Sequence, residues 1–118
     1  MKTSELTGAA LDWAVAKCEG LLAFGWEDDM GLLRIVLESR DTEYYVPTIN
    51  WSQGGPIIER EKIEVQVDEY SFGWRSCIPH FDGEDEEYSY GPTPLIAAMR
   101  CYVASKLGDN IDIPEELK

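Results

Sequence analysis

Cys77 and His80 are the residues whose types best suit catalysis, because a cysteine nucleophile needs a histidine base within hydrogen-bond reach. They lie three residues apart along the chain. On an extended strand this spacing directs the two side chains to opposite faces. His80 is also the only histidine, which excludes a zinc site with two histidine ligands. The sequence therefore predicts no catalytic residues, no metal site and no cofactor.

A second distinctive feature is a run of five carboxylates within six residues. They are Asp82, Glu84, Asp85, Glu86 and Glu87. A calcium-binding loop has acidic residues at alternating positions before its glycine, whereas Gly83 comes second here. Dense like charges repel one another and extend the chain. The run is therefore predicted to be a solvated loop, and it is also a candidate site for a basic partner.

Two adjacent glycines form a third candidate, because free N–H groups at a glycine-rich helix start can hold an anion. Gly54 and Gly55 precede Pro56, which suits the first helical position, and we predict a short helix over residues 56–61. However, the lysine of a phosphate-binding loop is missing, and two glutamates follow Pro56 closely. The alternative is that a tight turn needs glycine for steric reasons.

Trp51 lies beside this turn and is either buried or partly exposed at a partner surface. Aromatic side chains dominate the energetics of both cores and interfaces. Together with Gly54, Gly55 and the five carboxylates, Trp51 completes the set of candidate partner-binding residues.

The charge of the chain restricts its partners. It carries 23 acidic and 10 basic side chains, which give a formal net charge of −13. Nucleic-acid binding depends on Lys and Arg that neutralise phosphates, so we expect no direct contact with nucleic acid or with an anionic membrane. The negative surface either only maintains solubility or attracts a basic protein.

Length and cysteine usage indicate one domain in a reducing compartment. The chain has 118 residues and three cysteines without a Cys-x-x-Cys pair, so disulfides are not needed for folding. No apolar stretch reaches the ~20 residues that cross a bilayer, and the N-terminus lacks the apolar core of a signal peptide. We therefore expect a single domain, 1–118, in the cytoplasm.

Two segments have the pattern of helices that pack on a core. The first is predicted over residues 4–17 with Thr3 or Ser4 as its cap. Its core face consists of Leu11, Ala14, Val15 and Cys18. The second has Thr93 as cap and Pro94 as first helical residue, and Gly108 ends it. Its apolar face consists of Leu95, Met99, Tyr102, Val103 and Leu107, and its cations Arg100 and Lys106 are expected to point to solvent or a carboxylate.

Alternating apolar residues predict strands in several places. Residues 33–37 and the shorter 43–46 come first, and Pro47 limits the second of them. Residues 63–68 and 74–78 follow as an antiparallel hairpin. Because strands and helices are segregated rather than alternating as βαβ units, the sequence predicts an α+β fold. We expect an antiparallel sheet with about three helices packed mainly on one side.

Three separated segments read LTGAALDWAVAKCEG (6–20), WSQGGPIIEREKI (51–63) and GPTPLIAAMRCYVASKLGD (91–109), the last with the tail IPEEL (113–117). Together these segments resemble the NinX-like proteins of lambdoid phages. The resemblance implies a phage or prophage origin and expression inside a bacterial host. It carries no catalytic residues.

The function that these observations favour is that of a non-enzymatic phage accessory protein that binds an unidentified host or phage protein. One alternative is DNA mimicry, in which rows of carboxylates imitate phosphates and occupy a basic nucleic-acid-binding protein. Another is a small enzyme of unknown class, which the missing nucleophile, base and phosphate motifs disfavour. Mimicry requires carboxylates on rigid elements, whereas residues 84–87 have the composition of a loop.

Replacing Glu84, Asp85, Glu86 and Glu87 by uncharged amides should leave the fold intact or slightly stabilised. The reason is that like charges repel and surface substitutions change stability by less than about 0.5 kcal/mol. Urea unfolding compares the variant with the parent. An unfolded variant would show instead that these carboxylates satisfy buried donors or hold a cation.

Overall fold

The computed structural model of the chain describes residues 1–24, 32–71, 73–79 and 87–117. Within these residues three α-helices pack with two antiparallel sheets, which confirms the α+β class. The helices are α1 (Gly8–Cys18), α2 (Trp51–Glu61) and α3 (Pro94–Leu107). Short 3-10 helices at Thr3–Glu5 and Glu115–Leu117 stand near the two chain ends.

Helix α1 begins at Gly8, so the predicted start at residue 4 is wrong. The preceding segment is held elsewhere: the Thr3 hydroxyl donates to the Gly108 carbonyl at 2.7 Å, and its backbone N–H donates to the Asp109 carbonyl at 2.8 Å. Gly8 then takes a φ of +55°, where the chain changes direction. The predicted core face is confirmed for Leu11, Ala14 and Val15, which are fully buried, while Cys18 is half-buried.

Helix α2 begins at Trp51, so the predicted start at Pro56 is also wrong, although the predicted end at residue 61 is right. Asn50 caps the helix, because its side chain accepts a hydrogen bond from the Ser52 N–H at 2.9 Å. Pro56 therefore lies inside the helix, where it cannot donate to the carbonyl of Ser52. Ser52 is exposed, which lets water satisfy that carbonyl.

Helix α3 follows the prediction closely. The Thr93 side chain accepts from the Ile96 N–H at 3.1 Å, Pro94 is the first helical residue, and Gly108 ends the helix with a φ of +86°. Its buried side includes Leu95, Met99, Tyr102 and Val103, as predicted. The helix packs against α1, α2 and the sheet formed by residues 64–68, 73–77 and 89–91, so it is the centre of the core.

The strands form two sheets, where the sequence predicts one. The first contains β1 (Ala23–Phe24), β2 (Arg34–Val36) and β3 (Thr42–Tyr44), and the second contains β4 (Glu64–Asp68), β5 (Gly73–Cys77) and β6 (Ser89–Gly91). The predicted hairpin of β4 and β5 is confirmed. Helix α2 lies between the two sheets along the chain. Its residue Gln53 donates to the Tyr44 carbonyl at 2.8 Å and accepts from the Val46 N–H at 2.7 Å. Helix α2 thus binds the chain at the end of β3.

The two chain ends lie side by side on α3. Lys2 and Asn110 form an antiparallel bridge, and the N-terminal ammonium donates to the Ile111 carbonyl at 3.0 Å. Ile111 and Ile113 are buried in the core. The segment after α3 therefore closes one end of the domain.

Gly54→Ala should destabilise the protein by about 1–3 kcal/mol, because overpacking forces a shift in the surrounding structure. A Cβ at Gly54 would lie 2.6 Å from the Pro47 carbonyl oxygen and 2.7 Å from Leu95 Cδ2. Gly55→Ala is the matched control in the same helix, where the nearest atom, Cε3 of Trp51, is 3.9 Å away. It should stabilise by about 0.5–1 kcal/mol through helix propensity. Urea unfolding measures both, and equal effects would contradict the close approach at Gly54.

Candidate functional site

The candidate partner surface lies where β3 leads into α2. We call it the Trp51 surface and define it by three large side chains that remain exposed: Tyr44 (39%), Ile49 (67%) and Trp51 (55%). The three side chains lie within eight residues of one another along the chain, and an exposed apolar group of this kind is a candidate binding surface. The structure therefore answers the open question about Trp51, whose side chain is partly exposed.

Beneath this surface, the loop over residues 45–50 is fixed to the body. Pro47 and Thr48 are buried, and the Thr48 N–H donates to Asp12 Oδ1 at 3.1 Å. The N–H groups of Ile49 and Asn50 both donate to the Val46 carbonyl at 2.9 Å. A partner would meet a loop that is already ordered, which lowers the entropy cost of binding.

The position of the Trp51 ring depends on the helix surface beside it. A Cβ added at Gly55 would lie 3.9 Å from Cε3 of Trp51 and would meet no other atom within 4 Å. The ring therefore lies along the helix at Gly55 instead of entering the core. Pro56, the next residue, is exposed.

The glycine pair does not form an anion cradle. Both residues lie inside α2, and the Gly54 N–H donates to the Asn50 carbonyl at 2.9 Å. Gly54 is buried and Gly55 is half-buried, so only Gly55 reaches the Trp51 surface. The glycine requirement is steric, but it arises from helix packing rather than from the predicted turn.

Four members of the acidic run lie outside the described residues, namely Asp82, Glu84, Asp85 and Glu86, and His80 does so as well. Glu87 is described and exposed. Its role in partner binding, like that of the rest of the run, stays a prediction.

Polar side chains also join the ends of the three helices. Arg60 donates to both carboxylate oxygens of Glu19, at 2.7 and 3.0 Å, and to Glu61 at 2.9 Å. Lys106 binds the other oxygen of Glu61 at 3.0 Å, and the Tyr102 hydroxyl donates to Glu19. The predicted carboxylate partner of Lys106 is thus confirmed.

Burial raises the pKa of Glu19, but the hydrogen bonds from Arg60 and Tyr102 outweigh it and leave the pKa lowered. Each of these groups has partners, which is the pattern of a structural network.

The cysteines have the environment of packing residues. Burial raises the pKa of Cys18 to about 11 and raises that of Cys101 as well. Thiolate is the reactive form of cysteine, so burial lowers the reactivity of both. Cys77 is also buried.

Asp12 is the buried carboxyl that connects α1 to the loop under the Trp51 surface. Its side chain is 3% exposed. Burial raises its pKa to about 6, and hydrogen bonds from the backbone and side chain of Thr48 offset only part of that effect. Sequence reasoning missed Asp12 because a single aspartate on a helix is typical of its solvent face. The signal that could have indicated its burial is its position on the helix. Asp12 directly follows Leu11 and comes four residues before Ala16, and both of these residues are apolar.

Within the described ranges, no three His, Cys, Asp or Glu side chains lie close enough together to hold a metal ion. The same part of the chain contains no helix of the length and apolar character that crossing a membrane requires. In these residues, fold and surface define a small α+β domain with an exposed aromatic surface.

Residues 2–106 match the family model described as bacteriophage P22 NinX, and the chain belongs to this family. The match contains the segments 6–20 and 51–63 entirely, and it ends within the segment 91–109. The tail at 113–117 lies beyond it. No curated protein matches the chain. The family resemblance recognised in the sequence is thereby confirmed.

Asp12→Asn should remove a pH dependence of stability. The folded-state pKa of about 6 lies above the ordinary value of 3.8, so the folded protein retains a proton that the unfolded chain releases. Its stabilising effect is complete below the unfolded pKa and is lost as pH rises through about 6. From about pH 4.5 to 7.5 the parent should lose about 2 kcal/mol of unfolding free energy that the variant does not lose.

Urea unfolding across that pH range measures the difference. Asp112→Asn, which removes an exposed carboxylate, is the matched control and should follow the parent. Parallel pH profiles for Asp12→Asn and the parent would show that Asp12 is ionised in the folded protein at all these pH values.

Proposed function

We propose that this protein is a non-enzymatic phage accessory protein that binds a basic protein partner through the Trp51 surface. The observation that carries the proposal is the exposure of Trp51, Ile49 and Tyr44 on an ordered loop and helix start. Family membership supports action during a phage life cycle inside a bacterial cell.

The aromatic surface supplies the kind of contact that dominates binding energy. Tryptophan and tyrosine are enriched among the few interface residues whose truncation costs most. Trp51 and Tyr44 are both of these types, and Ile49 adds apolar area between them in sequence. The surface is therefore suited to an apolar or aromatic anchor of a partner.

Net charge selects the partner. A chain with a formal charge of −13 attracts basic proteins over distances of about one Debye length, ~10 Å at 0.1 M salt, and repels other acidic ones. Electrostatic complementarity raises the association rate and excludes wrong partners more than it adds affinity. Charge thus provides selection, and the Trp51 surface provides short-range contact.

The arrangement of carboxylates in the described residues favours protein binding over DNA mimicry. Helix α3 carries no acidic residue, and the only one within α1, Asp12, is buried. Helix α2 carries Glu59 and Glu61, and the second of them is bound to Arg60 and Lys106. A row of free carboxylates that could imitate phosphate spacing is thus missing from the described helices.

Capture from nuclease-treated host lysate tests the proposal, with the parent, Trp51→Ala and Tyr70→Ala immobilised in parallel. Tyr70 is 93% exposed and lies outside the Trp51 surface, so Tyr70→Ala is the matched control. We expect a basic protein that the parent and Tyr70→Ala both retain at about 50 mM salt and release at about 300 mM, because screening shortens the reach of exposed charges.

Trp51→Ala should lose this protein although it unfolds in urea as the parent does. A captured set that is the same for the parent and Trp51→Ala would contradict the proposed surface. A basic protein that duplex DNA displaces from the parent, and that Trp51→Ala still retains, would favour mimicry instead.

A further inference from the structure

A cavity of about 640 Å³ lies where the two chain ends meet the edge strand β6. Its volume is in the range of small-molecule sites. The 3-10 helix at Thr3–Glu5, β6 and the C-terminal half of α3 form its walls. Its lining contains no residue of the Trp51 surface, so it is a separate feature of the molecule.

Arg100 is the half-buried cation in the lining of this cavity. Its Nε donates to the Leu6 carbonyl at 2.9 Å and its Nη1 donates to the Tyr90 carbonyl at 2.8 Å. A guanidinium has five N–H groups, so these two bonds leave further donors for a ligand. The sequence predicted solvent or a carboxylate beside Arg100, and the structure places backbone carbonyls there.

No carboxylate of the described residues pairs with Arg100, in contrast to Arg60 and Lys106. Burial lowers the pKa of Arg100, as expected for a cation that is partly removed from water and has no carboxylate partner in the part of the chain that the structure describes. An anionic group in the cavity would compensate for the lost solvation of the Arg100 charge. Arginine binds carboxylates especially well because its planar fork matches their two oxygens.

The remaining charges of the lining decide which anion fits. Lys2 adds a second cation, and Glu87 and Asp109 add two carboxylates, so the described residues of the lining have no net charge on a chain whose total is −13. A phosphate dianion would be repelled by Glu87 and Asp109. A ligand with one carboxylate and one ammonium group would instead find a partner for each of its charges.

We propose that this cavity binds a small zwitterion of the amino-acid type. The ligand carboxylate binds the free N–H groups of Arg100, and its ammonium group faces Glu87 and Asp109. The cavity is large enough to hold a side chain in addition to these two groups. This site uses none of the residues of the Trp51 surface, so it does not rest on the partner surface proposed above. It shares only Glu87 with the predicted partner-binding residues.

NMR titration of the full chain tests the proposal through the Nε–H signals of its arginines. The probes are glycine, acetate, methylammonium and inorganic phosphate at matched ionic strength. The Nε–H of Arg60, which donates to Glu61 at 2.9 Å, serves as an internal control for general ionic effects. We expect glycine to shift the Arg100 signal and the amide of Tyr90 in a saturable way, without a corresponding shift at Arg60.

Glycine should bind more tightly than acetate by about two- to fivefold, the effect of one exposed ion pair. The double variant Glu87→Gln with Asp109→Asn separates the two ends of the ligand. Both residues are exposed, so the variant should keep the parent fold. It should bind glycine more weakly than the parent does and acetate more tightly, because it loses an attraction for ammonium and a repulsion for carboxylate.

Other results would overturn the assignment. A linear shift of equal size at Arg100 and Arg60 would show a general salt effect. Tighter binding of phosphate than of glycine would show an oxyanion site without the ammonium half. Unchanged glycine binding in the double variant would remove Glu87 and Asp109 from the site.

Discussion

The close approach of α3 to its neighbours is the constraint on which the rest of the structure depends. Its side chains Ala97, Ala98 and Met99 are fully buried in succession, so the helix is enclosed on more than one face. Backbone can approach the helix most closely where it has no side chain. Gly91 and Gly54 provide this: a Cβ at Gly91 would lie 2.7 Å from the Ala97 nitrogen, and one at Gly54 would lie 2.7 Å from Leu95 Cδ2.

This packing also determines where charge can be placed. Because α3 is enclosed, its two cations serve internal partners: Arg100 binds backbone carbonyls, and Lys106 binds Glu61. Arg60 is likewise used to bind Glu19 and Glu61 between helix ends. Several cations of the chain thus already have partners within the protein. Each of these ion pairs also uses a carboxylate, so the pairing leaves the net charge of −13 unchanged. That charge is the basis of the partner selection proposed above.

Local sequence predicted α3 well, because its boundaries are set by residues within the helix itself and next to it. Thr93, Pro94 and Gly108 each act through their own backbone or an N–H three residues away. The start of α1 could not be found in this way, since Thr3 is held by Gly108 at the far end of the chain. The start of α2 is different, because Asn50 is a local capping signal. Pro56 also suits the first position of a helix, and this second signal placed the predicted start five residues too late.

The number of sheets and the candidate site depend on contacts that no periodic pattern contains. Gln53 connects α2 to the end of β3 by binding Tyr44 and Val46, and its position in a helix gives no indication of that role. Asp68 is similar, because at the end of β4 it accepts from the Tyr70 N–H and the Ser71 hydroxyl in the turn that leads to β5.

Trp51 shows how one small residue decides between core and surface. A tryptophan at the first position of a helix has room to fold back over the core or to lie along the helix. The residue type alone does not indicate which of these two positions the ring takes. Gly55, one turn later, leaves the space in which the ring lies along the helix. The buried loop residues Pro47 and Thr48 fill the position beneath, with Asp12 as the acceptor that fixes them. The exposed aromatic surface therefore follows from a buried carboxyl and a glycine, neither of which belongs to a recognisable binding motif.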